Sequence, residues 1–337
     1  MNRIIQYGSV ESIPFFNCSR KTFDEWELTG VRRPLLGWSV LIFGVFVEIL
    51  YIPILYIIVK TGLIRNPCYK IIMFLAVVDM NATVCSCLIT GLFFIIGSVF
   101  CMYPTVTYIA GGYAMTTWAM ACMATIFLFI NRIVSIGLRK RTDFIEKKLA
   151  YFSILIVLIY GFYMIMFVPP ILFNSNVMAY IPETLSEEVT AEATAMYKNW
   201  PHEFNNWGFT GCMFVLFTLY CGMVKKLEGG QKSKASKAIF IQCSIICFFN
   251  TCVAIIYVSL AFMTPPQWIL VFCQLCWSVN HACPAFIYVT MNDTIRREFL
   301  RTVLRVKVTK RTDDVTCSTV AKKMSTHSIR KSSVMVI

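Results

Sequence analysis

Seven long apolar runs, with lysine and arginine collected in the segments at alternate ends, constrain this chain more than any other feature of its sequence. A helix needs about 20 mostly apolar residues to cross a hydrocarbon core about 30 Å thick. Runs of about this length lie at 37–59, 71–97, 106–131, 149–173, 206–224, 238–262 and 268–291. The pattern predicts an all-α, membrane-embedded bundle of seven transmembrane helices.

The composition excludes a water-soluble domain. Of the 337 residues 57% are hydrophobic and only 15% are charged, and the mean hydropathy is +0.66. A soluble domain could not bury this much apolar surface. The net charge of +13 would suit a nucleic-acid partner, but the positive residues lie between and after the apolar runs. We therefore interpret them as a membrane-proximal face and expect no nucleic acid to bind.

The positions of the positive charges predict the orientation of the bundle. The stretches 60–70, 132–148, 225–237 and 292–337 contain 25 of the 31 lysine and arginine residues. Cytoplasmic loops collect these residues, so the four stretches are predicted to be cytoplasmic and the N-terminus to lie outside. Arg32 and Arg33, just before the first run, are the exception to this distribution.

A short amphipathic helix is predicted after the seventh span. Between 294 and 305, Ile295, Phe299 and Val303 form one apolar stripe and four arginines lie away from it. Such a helix would lie on the inner leaflet. The predicted organisation is an extracellular segment 1–36, a bundle 37–291, a membrane-surface helix 292–306 and a disordered cytoplasmic tail 307–337.

Two chemical features belong to the predicted outer side. Most of the 15 cysteines lie inside spans, where a thiol packs as a small apolar group, and only Cys18 and Cys101 are clearly outside. A disulfide, if one forms, most simply joins these two; otherwise both are free, or one pairs with Cys212 or Cys273. Asn17 begins the sequon Asn-Cys-Ser, which predicts N-glycosylation.

Glu48 and Asp79 are the two acidic residues inside the predicted spans. A charged group costs at least about 2.5 to 3.5 kcal/mol near the middle of a bilayer and usually faces the bundle interior, so both are candidate functional groups. Asp79 could hold an ion or a proton and hydrogen-bond to Asn280 on span seven. Glu48 has no evident partner, and a packing role suits it as well as a functional one.

Two further residues stand at positions where a bundle could change shape. Arg132 closes the third span after Asn131, where its side chain can reach span six or a docked partner, or simply extend to the lipid headgroups. Pro284 in span seven removes a backbone donor and predicts a kink, which can serve as a hinge.

Taken together, these features resemble the rhodopsin-like G-protein-coupled receptors, and more specifically the nematode chemosensory serpentine receptors of class T. The segments that carry the resemblance reach from residue 17 to about residue 300. In order, they are Asn17-Cys18-Ser19, Leu50-Tyr51-Ile52-Pro53, Cys68-Tyr69-Lys70-Ile71, Phe100-Cys101, Asn131-Arg132 and Pro284-Ala285-Phe286-Ile287-Tyr288.

The resemblance implies a chemoreceptor of the plasma membrane, not an enzyme, which is expected in the cilia of sensory neurons. Arg132 would match the arginine that restrains the inactive state and then meets the G protein, with Asn131 in place of the usual acid. Asp79 would match the sodium-site carboxylate, and Pro284 and Tyr288 a switch motif with altered spacing. The expected partners are a small-molecule ligand, a heterotrimeric G protein, membrane lipids and a second receptor copy in an oligomer.

Aromatic and hydroxyl side chains in the outer half of the spans are the predicted ligand contacts, because small-molecule sites between helices are concave and mostly apolar. The same residue types also serve as packing or interfacial residues. The candidates are Tyr108, Tyr113 and Trp118 on span three, Phe209 on span five, Tyr257 on span six, and Trp277 and His281 on span seven.

A multi-pass transporter or channel is the alternative function. The chain has no evident inverted repeat, and two intramembrane carboxylates are too few for an ion path. His202, His281 and His327 fall in a loop, a span and the tail, so they cannot form one metal site. Span seven has no lysine for a retinal Schiff base, and no cofactor or metal is expected.

Overall fold

Within the described residues, seven long helical segments make up most of this computed structural model. It describes residues 1–137, 142–186, 190–227, 234–259 and 266–306. In chain order the elements are α1 Asn2–Tyr7, α2 Phe23–Thr29, α3 Pro34–Lys60, α4 Pro67–Thr83, α5 Thr90–Ile96, α6 Pro104–Gly137, α7 Thr142–Phe167, β1 Leu172–Asn174, β2 Ala179–Ile181, α8 Ala191–Tyr197, α9 Trp200–Leu227, α10 Lys234–Ser259, α11 Gln267–Met291 and α12 Asp293–Thr302.

The long segments coincide with the seven predicted spans. Among the described residues, α3, the segment 67–96, α6, α7 and α11 are long and apolar enough to cross a membrane. The helices α9 and α10 occupy the places of the fifth and sixth spans, and α10 contains the apolar stretch Ser244–Ile256. Proline begins α3, α4 and α6, where its missing N–H leaves no helical hydrogen bond unmade.

These segments pack into a closed bundle with α6 at its centre. The helix α6 contacts α4, α7, α9 and α10, whereas α11 contacts α10, α4 and α3 and so closes the ring. The largest core cluster draws side chains from all of these helices, including Tyr51, Trp118 and Tyr288. The all-α class predicted from the apolar runs is thus confirmed for the bundle.

The fourth long helix, α7, ends at Phe167, six residues before the predicted end of the span 149–173, and this boundary was wrong. The helix α7 ends at Phe167 because two prolines, Pro169 and Pro170, follow and cannot donate to a helical ladder. The chain then forms a small hairpin in which β1 pairs antiparallel with β2, with Phe173 opposite Tyr180. The prediction of an entirely helical chain missed this hairpin.

The hairpin lies against α6 at a glycine. A Cβ atom on Gly111 would come within 1.6 Å of the Ile171 carbonyl oxygen, so no larger residue fits there without moving the backbone. This close approach brings Ile171 and the hairpin over the interior of the bundle.

The second span is interrupted by a π-helical turn, Val84–Ile89, between α4 and α5. Such a turn leaves backbone carbonyls without their usual helical donors, and π-turns often mark functional sites. Here the Ser86 carbonyl accepts hydrogen bonds from Gln274 Nε2 at 3.1 Å and Ser278 Oγ at 3.0 Å, both on α11. The irregular turn therefore joins span two to span seven.

The predicted outer segment 1–36 folds into a cap over one end of the bundle. Cys18 and Cys101 form a disulfide with a Cα separation of 5.4 Å, which attaches this segment to the connection after α5, and Cys212 and Cys273 are free. Phe16 packs edge-on against Phe100 inside a separate apolar cluster. We call this end of the bundle the disulfide end.

Local polar contacts stabilise the cap. Thr22 and Glu25 form a capping box at the start of α2, and the hydrogen bonds from the Thr22 backbone and hydroxyl lower the pKa of Glu25. Arg32 and Arg33, the two arginines that are exceptions to the charge distribution, both make polar contacts in this region. Arg32 pairs with Glu27 at 2.5 Å, and Arg33 donates to the Ser175 carbonyl.

The opposite end, which we call the Arg132 end, carries α12. This helix ends at Thr302, earlier than the predicted limit of 306, and its Ile295 is fully buried against the bundle. Asn292 caps α12 and donates from Nδ2 to the Tyr69 hydroxyl at 2.8 Å. The predicted tail 307–337 lies outside the described residues.

Candidate functional site

A small, partly open cavity lies between α6, α11, the start of α9 and the hairpin, toward the disulfide end. Its described lining is mostly apolar and aromatic, as expected for a small-molecule site. The space open to the centre of a water molecule is about 20 Å³, which is room for about one water. The lining residues are Ala114, Met115, Trp118, Ile171, Tyr180, His202 and Trp277.

Helical spacing brings the principal side chains of this cavity together. Ala114 and Trp118 are four residues apart on α6, and Trp277 and His281 are four apart on α11, so each pair shares a helix face. Trp118 donates from Nε1 to Asn206 Oδ1 at 2.8 Å, which ties α6 to α9.

Ring contacts connect the hairpin to the interior of the bundle. Tyr180 meets Trp277 edge-on with ring centroids 5.7 Å apart, and Trp277 meets His281 in the same way at 6.1 Å. Trp118 approaches His281 from the other side at 6.0 Å. Because edge-to-face ring pairs have a preferred geometry, a shift of one ring in this series changes the packing of the next.

Below the cavity, His281 meets the buried carboxyl group of Asp79. Nδ1 of His281 and Oδ1 of Asp79 share a hydrogen bond of 2.8 Å, and both residues are at most 3% exposed. The Tyr51 hydroxyl donates to the His281 carbonyl at 2.7 Å and lies 3.5 Å from Asp79 Oδ2. The three side chains join α3, α4 and α11 at the centre of the bundle.

The expected partner of Asp79 was wrong. Asn280 faces α10 instead, where its Nδ2 donates to Asn250 Oδ1 at 3.2 Å, and the next residue, His281, takes the carboxylate. Adjacent residues on a helix point about 100° apart, so the sequence placed the contact on the correct turn but on the wrong face.

The seven predicted ligand contacts separate into distinct environments. Trp118 and Trp277 line the cavity, and His281 lies directly beneath it. Tyr108 packs under the cap against Phe16, Tyr113 donates to Asn81, and Phe209 is buried in the core cluster. The side chain of Tyr257 lies outside the described residues.

Sequence reasoning missed several residues of the cavity. Tyr180 and Ile171 come from the hairpin region, which carried no recognisable pattern, and the Tyr180 hydroxyl hydrogen-bonds Thr90 Oγ1 at 3.0 Å. Ala114 could have been found from its spacing to Trp118. His202, at the start of α9, was assigned only to a loop.

Glu48 lies in an environment different from that of Asp79. It is half-buried on α3, and its Oε1 is buried with no hydrogen-bond partner among the described residues. Asp79 is therefore the intramembrane carboxylate that the structure connects to the cavity.

At the Arg132 end, the two predicted coupling residues are held differently. Arg132 donates from its guanidinium to Cys68 Sγ on α4, while its Nε is buried without a partner in the described part of the chain. Asn131 is fully buried, and neither atom of its amide has a partner there. Among the described residues, Arg132 is thus bonded to a cysteine of α4, while Asn131, in the place of the usual acid, makes no side-chain hydrogen bond.

The two predicted switch residues lie on α11, between His281 and the start of α12. Pro284 and Tyr288 are both buried, and α11 continues through Pro284 to Met291. Pro284 is three residues beyond the His281 carbonyl that accepts from Tyr51, so that hydrogen bond lies in the turn that the proline interrupts. Among the described residues, no group of three or more His, Cys, Asp or Glu could hold a metal ion.

Comparison with known proteins agrees with this architecture. Residues 3–312 match the family described as serpentine type 7TM GPCR chemoreceptor Srt. The chain is also similar to serpentine receptor class T-55 of Caenorhabditis elegans, with 22% identity over 299 residues that cover 86% of this chain and 80% of that protein. The family match spans the cap, the bundle and α12, so this chain belongs to the Srt family of serpentine seven-transmembrane chemoreceptors.

Proposed function

We propose that this receptor binds an external small molecule in the cavity at the disulfide end and signals to a heterotrimeric G protein at the Arg132 end. The ligand would bind one packing of the bundle better than another and so shift the population toward it. A ligand with equal affinity for both packings would shift nothing, so the cavity must differ between them.

The observation that carries this proposal is the continuous set of contacts from the cavity to the centre of the bundle. Trp277 lines the cavity and packs on His281, which in turn holds Asp79 of α4 and the Tyr51 hydroxyl of α3. A ligand that moves Trp277 would disturb these contacts, and the position of α11 relative to α3 and α4 would change.

The proposed output is a change around Arg132. Among the described residues its guanidinium bonds to a soft, neutral partner, Cys68 on α4, and a movement of α4 against α6 would release it. The positive stretches 132–148 and 225–237 lie on either side of this end in sequence. We place the G-protein site there, with Asn131 and Arg132 at its centre and Pro284 and Tyr288 as the residues that relay the movement of α11.

The proposed orientation follows from chemistry at the two ends. The disulfide end carries Cys18–Cys101 and the exposed Asn17 sequon, and both modifications form along the secretory route. The Arg132 end carries α12, whose arginine-rich face suits an anionic inner leaflet. We therefore place the N-terminus outside, in the plasma membrane of a sensory cell.

The test is co-expression with G proteins and exposure to a ligand panel, with surface labelling to equalise receptor levels. We expect a ligand-dependent signal that Arg132→Ala abolishes and that the control Arg301→Ala, on the exposed face of α12, retains. Absence of coupling in the wild-type receptor, with the native sensory cell responding equally with and without the protein, would reject the proposal. A ligand-gated current in oocytes that persists in Arg132→Ala would favour the channel alternative.

A further inference from the structure

Two residues that line the cavity, and a third beneath it, carry buried nitrogen atoms that have no hydrogen-bond partner in the described structure. Trp277 is 4% exposed, and its Nε1 has none. His202 also lines the cavity, and its Nδ1 is unpartnered, as is Nε2 of the fully buried His281. An indole nitrogen can only donate, so Trp277 carries a buried donor that an acceptor on a ligand would satisfy.

The described residues that line the cavity include none with a permanent charge. The lining residues include no Asp, Glu, Lys or Arg, and the nearest buried carboxyl group identified, that of Asp79, is already bound to His281. A cationic ligand would therefore be buried without a counter-ion, which is strongly unfavourable. An anion would fare little better, because His202 would have to become charged among apolar side chains to pair with it.

The size of the cavity indicates that the acceptor atom of a ligand would replace a water molecule. At about 20 Å³ the space holds about one water, which could serve the Trp277 N–H. A ligand must bring an acceptor to the same position and make room for its apolar part. Met115 belongs to the wall and is unbranched, so it can change rotamer more readily than its aromatic neighbours.

We propose that the ligand is a small, uncharged and largely apolar molecule whose one acceptor oxygen, such as that of a ketone, takes the Trp277 N–H. This inference rests on the proposed function, because it names the ligand class of the same site. It predicts that recognition depends on one hydrogen bond within an otherwise apolar contact, and that charged analogues of equal size are rejected.

The experiment measures probe binding to purified receptor in lipid nanodiscs, from the rise in unfolding temperature with probe concentration. The four probes share a six-membered ring: cyclohexanone, methylcyclohexane, cyclohexylammonium and cyclohexanecarboxylate. We expect saturable binding of cyclohexanone and of methylcyclohexane, and at least about 100-fold weaker binding of the two ions. Tighter binding of either ion than of the ketone would overturn the inference, as would failure of all four probes to bind.

A variant isolates the hydrogen bond from the apolar contact. Trp277→Phe removes the N–H and keeps an aromatic ring, so we expect the dissociation constant of cyclohexanone to rise about three- to tenfold while that of methylcyclohexane changes little. The matched control is Trp268→Phe on the same helix, where the side chain is 69% exposed, and it should alter neither constant. Equal effects of Trp277→Phe on both probes would overturn the proposed hydrogen bond.

Failure of this inference can be told apart from failure of the proposed function. Cyclohexanone binding without G-protein signalling would leave the ligand class standing and remove the receptor mechanism. Signalling that responds only to a charged compound would support the receptor mechanism and reject the proposed ligand class.

Discussion

The strongest single prediction concerns the buried pair Asp79 and His281. The variants His281→Ala and Asp79→Ala each leave the other partner buried, at most 3% exposed, and among the described residues the Tyr51 hydroxyl, at 3.5 Å, is a further hydrogen-bonding neighbour of the carboxyl group. Leaving one partner of a buried hydrogen bond unsatisfied costs about 1 to 3 kcal/mol. We therefore expect each single variant to lower the free energy of unfolding by about that amount.

The assay is thermal unfolding of the purified receptor, with a double-mutant cycle. With an unfolding entropy of about 2.1 cal/mol/K per residue, 1 kcal/mol corresponds to about 1–2 °C for a chain of 337 residues, so each variant should lower the unfolding temperature by about 1–6 °C. A hydrogen bond between uncharged side chains in a membrane bundle is worth about 0.6 kcal/mol. The double variant should therefore reveal a coupling energy of at least about 1 kcal/mol, above that value.

A matched control separates this effect from ordinary polar packing. Ser153 is fully buried, but its hydroxyl donates only to the Leu149 carbonyl of its own helix at 2.6 Å. Ser153→Ala should cost less than about 1 kcal/mol. A coupling energy near 0.6 kcal/mol between Asp79 and His281, or single losses no larger than that of Ser153→Ala, would refute the conclusion that this pair joins α4 to α11 more strongly than an ordinary hydrogen bond does.

Three further predictions test other parts of the molecule. Gly111→Val should prevent the hairpin from lying on α6 and abolish cell-surface expression. The control Gly211→Ala, where a Cβ meets nothing within 4 Å, should leave expression unchanged, and surface labelling compares the two variants. Cys68→Ala should raise ligand-independent G-protein signalling because Arg132 loses its partner, and a basal signal equal to wild type would count against that role. The pKa of Glu25 is lowered in the folded cap, so its stabilisation is complete above the ordinary value of 4.5 and is lost as the pH falls through the folded value. Hydrogen exchange of residues 23–29 should accelerate in that acidic range, and an unchanged rate would refute it.

The number of long helices and the class of the fold could be predicted from sequence because both depend on local quantities. Hydropathy summed over about 20 residues marks a span wherever it lies in the chain. The same locality explains the errors. The end of α7 depended on Pro169 and Pro170, and the hairpin after it on a close approach to Gly111, which no local pattern revealed.

The candidate site could be predicted only in part. Trp118 and Trp277, which line the cavity, and His281 beneath it were selected because aromatic residues in the outer half of a span are the usual candidates. The same rule selected Tyr108, which packs under the cap, and Tyr113, which donates to Asn81. A sequence pattern identifies the face of a helix only to within about one residue. The contact of Asp79 with His281, instead of the neighbouring Asn280, lies within that uncertainty of one residue.

By itself, the sequence determined that this chain crosses a membrane repeatedly, that its positive segments alternate in position and that it resembles class T serpentine receptors. The tertiary structure alone decided that Tyr180 closes the cavity, that the π-helical turn binds α11 and that Cys68 holds Arg132. The physical reason is the range of the interactions. Burial in lipid is set residue by residue along the chain, whereas a hydrogen bond between two helices requires their rotation and register, which depend on the packing of the whole bundle.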